Sequence, residues 1–175
     1  MRQRGLTLVE MAITLAILII MVAAALPAFN EMTQNTQIRT AAETLVAGLQ
    51  TARAEALRRN EPVQFTVLGD GAVGETGWEV RVRNSNLLVQ SKVAGEASTK
   101  AQLTMTPSDA RTVTFSSLGR VLASNADGSA RLTRIDIDNP SLAADKSRDL
   151  RVVISDGGSV RMCDPATSGS DTRAC

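Results

Sequence analysis

The sequence predicts an α+β fold, in which one long N-terminal helix packs against an antiparallel β-sheet head of one or two sheets. Two changes of pattern along the chain predict it. An uncharged, mostly apolar stretch at residues 11–30 passes into a segment with helical periodicity that ends near Arg59. From Pro62 onward, apolar and polar residues alternate with a period of two, which is typical of half-buried strands. At 175 residues, the chain has room for one globular domain plus this apolar segment.

The helical pattern runs from about Leu6 to about Arg59. Its first half is apolar on all sides and long enough to span a bilayer. Its second half has one apolar face and one polar face, where Glu55 and Arg59 are spaced to form an ion pair. Pro27 is expected to kink the helix, because proline has no N–H to donate, and Pro62 is expected to end it. The residues expected on the buried face are Ile38, Ala42, Leu45, Leu49, Ala52 and Ala56.

Alternating runs in the second part of the chain predict about seven to nine short strands. Residues 155–158, Ser-Asp-Gly-Gly, are a strong hairpin signal. Asp136 and Asp138 fall on one face of a predicted strand, where they can bind Ca²⁺ or form the solvated face of an edge strand, and we favour the second interpretation. The predicted strands are residues 63–67, 78–83, 87–89, 103–105, 113–115, 119–122, 135–138, 150–154 and 159–162.

Composition argues against several classes of function. The 19 basic and 18 acidic residues nearly cancel, and aromatic residues are few, whereas nucleic-acid surfaces need clustered cations and stacking platforms. Histidine, the commonest general base and metal ligand, is absent. We therefore expect no catalytic residues, no metal and no cofactor, and a role that is not enzymatic.

The start of the chain holds the most specific signal. A short basic leader, residues 1–5, precedes the apolar stretch, and Glu10 is the one carboxylate near the beginning of that stretch. A charged side chain in hydrocarbon costs several kcal/mol, so an acid at this position indicates a functional site.

Leader charge, Gly5, the apolar run and the position of Glu10 together resemble the class III leader of type IV pilins and pseudopilins. The resemblance implies that prepilin peptidase cleaves between Gly5 and Leu6 and methylates the new N-terminus at Leu6, where the family usually has phenylalanine. Glu10 then lies one helical turn from a positive amine, and pairing with it, in the same or a neighbouring subunit, offsets the cost of burying either charge. The alternatives are a tolerated polar residue near the headgroups and a secretory signal cleaved near residues 23–26.

Short motifs in the head are similar to the GspH/FimT branch of this family, and most of all to the FimU/FimT minor pilins. These motifs are residues 52–60, 77–78, 113–120, 153–155 and 160–165 with a last cysteine. The resemblance implies four parts: a leader (1–5), a transmembrane stem (6–30), an amphipathic half-helix (31–60) and a β-rich head (61–175). It also implies a subunit near the tip of a type IV pilus, which helps to start assembly with other minor pilins and the major pilin. Before assembly, the stem lies in inner-membrane lipid and the head in the periplasm.

Two rival functions stay open. One is a minor pseudopilin of type II secretion, because the same stem serves both machines. The other is DNA capture, since some FimT-type pilins are thought to bind DNA through a Gly-Arg-x-Arg motif. Residues 158–161 read Gly-Ser-Val-Arg here, so serine replaces the first arginine of the motif. The candidate DNA contacts are Arg161, which the motif keeps, and Arg173, which would compensate for the lost charge.

Cys163 and Cys175 are expected to form a disulfide that closes a small loop, because the head of such a protein lies outside the cytoplasm. A metal site is the alternative, although two thiolates alone do not complete a tetrahedral shell.

Overall fold

The computed structural model describes residues 7–169 and 171–175. The chain divides into two compact units, Met1–Thr33 and Gln34–Cys175. A single helix, α1, covers Leu8–Arg59 and continues through Pro27. Asn60 follows it in the left-handed conformation, with φ of +54°, which is a common way to end a helix. The predicted helix is confirmed, apart from its start at Leu6, which lies outside the described residues.

Eight strands follow the helix, and all their pairings are antiparallel. They form two four-stranded sheets, with the strand orders β3-β2-β1-β5 and β4-β6-β7-β8. The strands are β1 (Val63–Val67), β2 (Trp78–Val82), β3 (Leu88–Lys92), β4 (Gln102–Thr106), β5 (Thr112–Phe115), β6 (Arg134–Asp138), β7 (Leu150–Ile154) and β8 (Val160–Cys163). The predicted antiparallel head is therefore confirmed, as two sheets.

The core of the second unit lies between one face of α1 and the inner faces of the sheets. All six helix residues predicted to be buried have no exposed surface. Gly48 is also buried, and a Cβ there would lie 2.8 Å from the Phe65 ring and 3.0 Å from Trp78. This glycine lets the helix backbone approach Phe65 and Trp78, whose ring centroids are 5.7 Å apart.

Two details of the predicted head are wrong. Residues 119–122 are not a strand, since Val121 makes only an isolated bridge to Phe115. The strand with Asp136 and Asp138 is not an edge strand, because β6 pairs with β4 on one side and β7 on the other. Alternation reveals which residues share a face. It reveals neither whether a short run finds a strand to pair with nor which strands become neighbours, and this explains both errors.

Two turns meet the end of α1 in a close junction. One is the turn at residues 116–119, and the other is the hairpin turn at residues 155–158 between β7 and β8. A Cβ at Gly158 would lie 1.9 Å from the carbonyl oxygen of Gly119, and one at Gly119 would lie 3.3 Å from the side chain of Leu57. Both glycines have positive φ, so the junction depends on residues without a side chain.

Candidate functional site at the start of the helix

Thr7 and Glu10 form a reciprocal cap at the start of α1. The hydroxyl oxygen of Thr7 accepts a hydrogen bond from the backbone N–H of Glu10 at 3.2 Å. In return, Oε2 of Glu10 accepts hydrogen bonds from the backbone N–H and the hydroxyl of Thr7, both at 2.9 Å. This is a capping box, which satisfies backbone donors that have no partner within the helix and so stabilises its first turn.

The capping box leaves half of the Glu10 carboxylate available. Both bonds from Thr7 end on Oε2, and no residue within 7–169 or 171–175 donates to Oε1. The side chain is exposed, as are its helical neighbours. The arrangement can therefore orient a carboxylate through one oxygen while the other accepts a hydrogen bond from a cation.

The sequence interpretation of Glu10 missed this cap. The signal was present, because Thr7-Leu8-Val9-Glu10 has the Thr-x-x-Glu spacing of a capping box directly before an apolar run. Gly5 and Leu6, the predicted cleavage and methylation residues, lie outside the described residues. Cleavage after Gly5 would leave the amide of Thr7 intact, so the cap is compatible with processing.

From Met11 to Phe29, α1 is exposed and, apart from Thr14, apolar. Every described residue from Thr7 to Asn30 is exposed, including Leu8, Ile13, Leu18 and Phe29. By length and composition, α1 is apolar enough to cross a membrane. The hydroxyl of Thr14 donates to the carbonyl of Met11 at 3.0 Å, so this polar group is satisfied within the helix.

The two cysteines form the predicted disulfide, Cys163–Cys175, with a sequence separation of 12. Arg161, a candidate DNA contact, donates to the main-chain carbonyl of Cys175 at 3.1 Å. Arg173, the other candidate, forms an ion pair with Asp171 at 2.8 Å. The hydrogen bonds from Arg173 lower the pKa of Asp171 to about 2, so both charges persist at neutral pH. Neither arginine is left as an unengaged cation.

Asp136, one of the two strand carboxylates considered as Ca²⁺ ligands together with Asp138, is already neutralised. It forms ion pairs with Arg134 at 2.9 Å and with Arg151, which lies opposite it on β7. Within the described part of the chain, no group of three or more His, Cys, Asp or Glu side chains can hold a metal ion.

Comparisons with known proteins agree with the fold. The sequence matches the family described as type II transport protein GspH over residues 41–158, which is more than half of the chain. Residues 1–26 match the prokaryotic N-terminal methylation motif. No curated protein matches the chain.

Two crystal structures of the type IV minor pilin FimU from Pseudomonas aeruginosa strain PAO1 resemble the structure. The one in space group P21 has a TM-score of 0.58 at 19% identity, over 79% of this chain and 97% of that one. The one in space group P65 has a TM-score of 0.54 at 18% identity, over 75% and 97% of the two chains. At such identities the likeness establishes the type IV pilin fold. Together with the family match and the methylation motif, it confirms the resemblance found in the sequence: the chain belongs to the GspH family of type IV pilin-like minor pilins and pseudopilins.

Proposed function

We propose that the chain is a minor pilin at or near the tip of a type IV pilus, where it helps to start assembly together with other minor pilins and the major pilin. The observation that carries this proposal is the likeness in fold to the type IV minor pilin FimU, which extends over 97% of that chain. The role is structural rather than enzymatic, in keeping with a sequence without histidine.

In this proposal, prepilin peptidase removes residues 1–5 and methylates the amine of Leu6. The methylation motif over residues 1–26 supports both steps. The positive amine of a processed subunit then pairs with Oε1 of Glu10, while Thr7 holds Oε2. Such a pairing between adjacent subunits offsets the cost of two charges in an apolar stack and sets their axial register.

Before assembly, residues 6–30 anchor the subunit in the inner membrane, and the head, residues 61–175, lies in the periplasm beyond the amphipathic half-helix at residues 31–60. The apolar, exposed first half of α1 supports the anchor. The Cys163–Cys175 disulfide supports the placement of the head, because such bonds persist in oxidising compartments such as the periplasm.

Intact-mass measurement tests the processing step. We expect a mature chain that begins at Leu6 and carries one methyl group, and we expect Gly5→Trp to leave the precursor uncut. A native chain that keeps residues 1–5, or one that begins near residue 26, would exclude this assignment.

Two matched variants test the charge pairing. Glu10→Gln keeps an oxygen that can accept the bonds from Thr7 but removes the charge, whereas Thr7→Val removes the hydroxyl and keeps the charge. We expect both variants to be processed, and Glu10→Gln to enter sheared filaments less than Thr7→Val does. Equal incorporation of Glu10→Gln and the wild type would show that the charge is not needed.

A second candidate function is a minor pseudopilin of type II secretion, which the description of the matched family favours. Deletion of the gene in the source bacterium separates the two machines. Loss of surface pili with normal protein secretion supports the pilus, and loss of secretion with normal pili supports the pseudopilin.

DNA binding by the head is a third candidate, and the ion pair that compensates the charge of Arg173 opposes it. A gel-shift titration at two salt concentrations tests it. Micromolar affinity that weakens steeply with salt and falls on Arg161→Ala would support DNA capture.

A further inference from the structure

The two sheets of the head have four edge strands, and the chain itself covers two of them and the residue that follows a third. Beside β4, the N–H of Leu103 donates to the carbonyl of Gly71 at 2.8 Å. Beside β5, the N–H groups of Leu122 and Leu132 donate to strand carbonyls, both at 2.9 Å. Beside the end of β8, the N–H of Asp164 donates to the carbonyl of Arg173, within the disulfide loop.

The fourth edge, β3, is open. Within residues 7–169 and 171–175, only β2 forms backbone hydrogen bonds with Leu88–Lys92. Successive residues of a strand direct their N–H and C=O groups to opposite sides, so alternate residues of β3 present theirs outward. An exposed edge of this kind is a template for another strand.

Apolar side chains flank this open edge. Leu88 is 45% exposed, and Leu87 and Val93, just outside the strand, are 50% and 68% exposed. The charge of Lys92 is compensated by Glu96, whose carboxylate lies 3.3 Å away. The edge therefore lacks the unpaired lysine that often keeps other strands away. A β-bulge lies near Leu88, but the pairing from Gln90 to Lys92 is regular.

We propose that β3 is a docking edge for an extended, uncharged segment of an adjacent pilin-type subunit, an inference that rests on the proposed role as a filament subunit. The segment adds to the sheet as a fifth strand and is recognised through main-chain hydrogen bonds. Leu88 and Val93 make apolar contacts at the two ends of the added strand.

Photo-crosslinking in cells that assemble filaments tests this contact directly. A photoreactive residue replaces Leu88 in the full-length chain, and a matched control places it at Thr104, an exposed position on the covered strand β4. We expect an adduct at Leu88 that contains one pilin-type subunit, with the crosslinked residue in an extended segment. Adducts no more abundant than those at Thr104, or adducts with a protein of another fold, would overturn the proposal.

A pair of proline variants tests the role of the backbone. Gln90 and Ser91 are neighbours on β3 with exposed side chains, and their N–H groups point to opposite sides. Of the variants Gln90→Pro and Ser91→Pro, the first to consider is the one at the residue whose N–H points to β2, which loses a hydrogen bond to that strand and is less stable to urea. The second is the one at the residue whose N–H points outward, which loses only an outward donor. We expect the second variant to unfold like the wild type and to lose the Leu88 crosslink by about three- to tenfold, as the loss of one hydrogen bond implies.

An undiminished crosslink in that stable variant would overturn the proposal. Filament incorporation separates this inference from the proposed function. If the wild-type chain is absent from filaments, the proposed function is refuted. If the chain is present and neither the crosslink nor the effect of the proline variant appears, only the proposal that β3 is a docking edge is refuted.

Discussion

Replacing Gly158 by alanine should destabilise the head more than the same replacement at Gly128. The two glycines have nearly the same backbone, with φ of +83° and +79°. They differ in their surroundings, because a Cβ at Gly158 would lie 1.9 Å from the carbonyl oxygen of Gly119. A Cβ at Gly128 would meet no described atom within 4 Å. The pair therefore separates the cost of a left-handed backbone from the cost of a steric clash.

The expected magnitudes follow from these two terms. Alanine in the left-handed region costs about 1–2 kcal/mol, and this term applies at both positions. At Gly158 the clash is with backbone, which cannot rotate away, so the junction with Gly119 must shift. Overpacking of this kind costs about 1–3 kcal/mol more. We expect a loss of unfolding free energy of about 2–5 kcal/mol for Gly158→Ala and about 1–2 kcal/mol for Gly128→Ala.

Urea unfolding of the full-length chain in detergent measures both values. Trp78 is the only tryptophan in the sequence and is buried in the core of the head, so its fluorescence reports the unfolding of that unit. The smaller entropy of the unfolded chain with alanine affects both variants alike and cancels in their difference. Equal losses at the two positions would refute the argument that the contact between the turns matters for stability.

Three further predictions concern the core, the acidic groups and the disulfide. Gly48→Ala should lower the urea midpoint, because the new methyl group would lie 2.8 Å from the Phe65 ring and overpacking of about 1–3 kcal/mol exceeds the helix-propensity gain of about 1 kcal/mol. Asp149→Asn should stabilise the head at pH 7 relative to pH 3, because burial, and then Asp138, raise the pKa of Asp149 above its ordinary value of 3.8. The folded state thus holds that proton more tightly than the unfolded state. The stability of the wild type therefore falls as the pH rises from the pKa of Asp149 in the unfolded chain through its raised pKa in the folded chain. Replacing Cys163 and Cys175 together by serine should cost about 3 kcal/mol in urea unfolding, as expected for a loop of this size.

Each of these predictions has a contrary result. An unchanged or higher urea midpoint for Gly48→Ala would mean that the helix moves easily away from the aromatic rings. A pH profile of Asp149→Asn parallel to that of the wild type would exclude a raised pKa as the cause. If reduction of the wild-type disulfide leaves the urea midpoint unchanged, the loop does not contribute to the stability of the head.

The helix and the faces of the strands could be predicted from the sequence because both are local patterns. The repeat from Ile38 to Ala56 determines which helix face is apolar, and the run Val63–Val67 determines the inner face of β1. Neighbouring strands could not be predicted in this way. The pairings of β1 with β5 and of β4 with β6 join segments far apart in sequence, and alternation carries no information about partners.

The candidate site was predicted in part. Glu10 stands out because a charge in an apolar stretch is costly, yet its bond to Thr7 was missed although the spacing was readable. The hydrogen bond from Arg161 to Cys175 could not have been anticipated, since it depends on the path of the chain between Cys163 and Cys175.

Under the proposed function, the internal hydrogen bond of Thr14 has a consequence for how a subunit leaves the bilayer. Because that hydroxyl is already bound to Met11, residues 11–29 have no polar side chain that must exchange partners during extraction. The surroundings change from acyl chains to the side chains of similar helices, and both are hydrocarbon. For this segment, the free-energy difference between the lipid and the surroundings of similar helices is then small. Which helices it packs against is therefore decided by the fit of their surfaces, and return to the lipid is about as easy as transfer out of it.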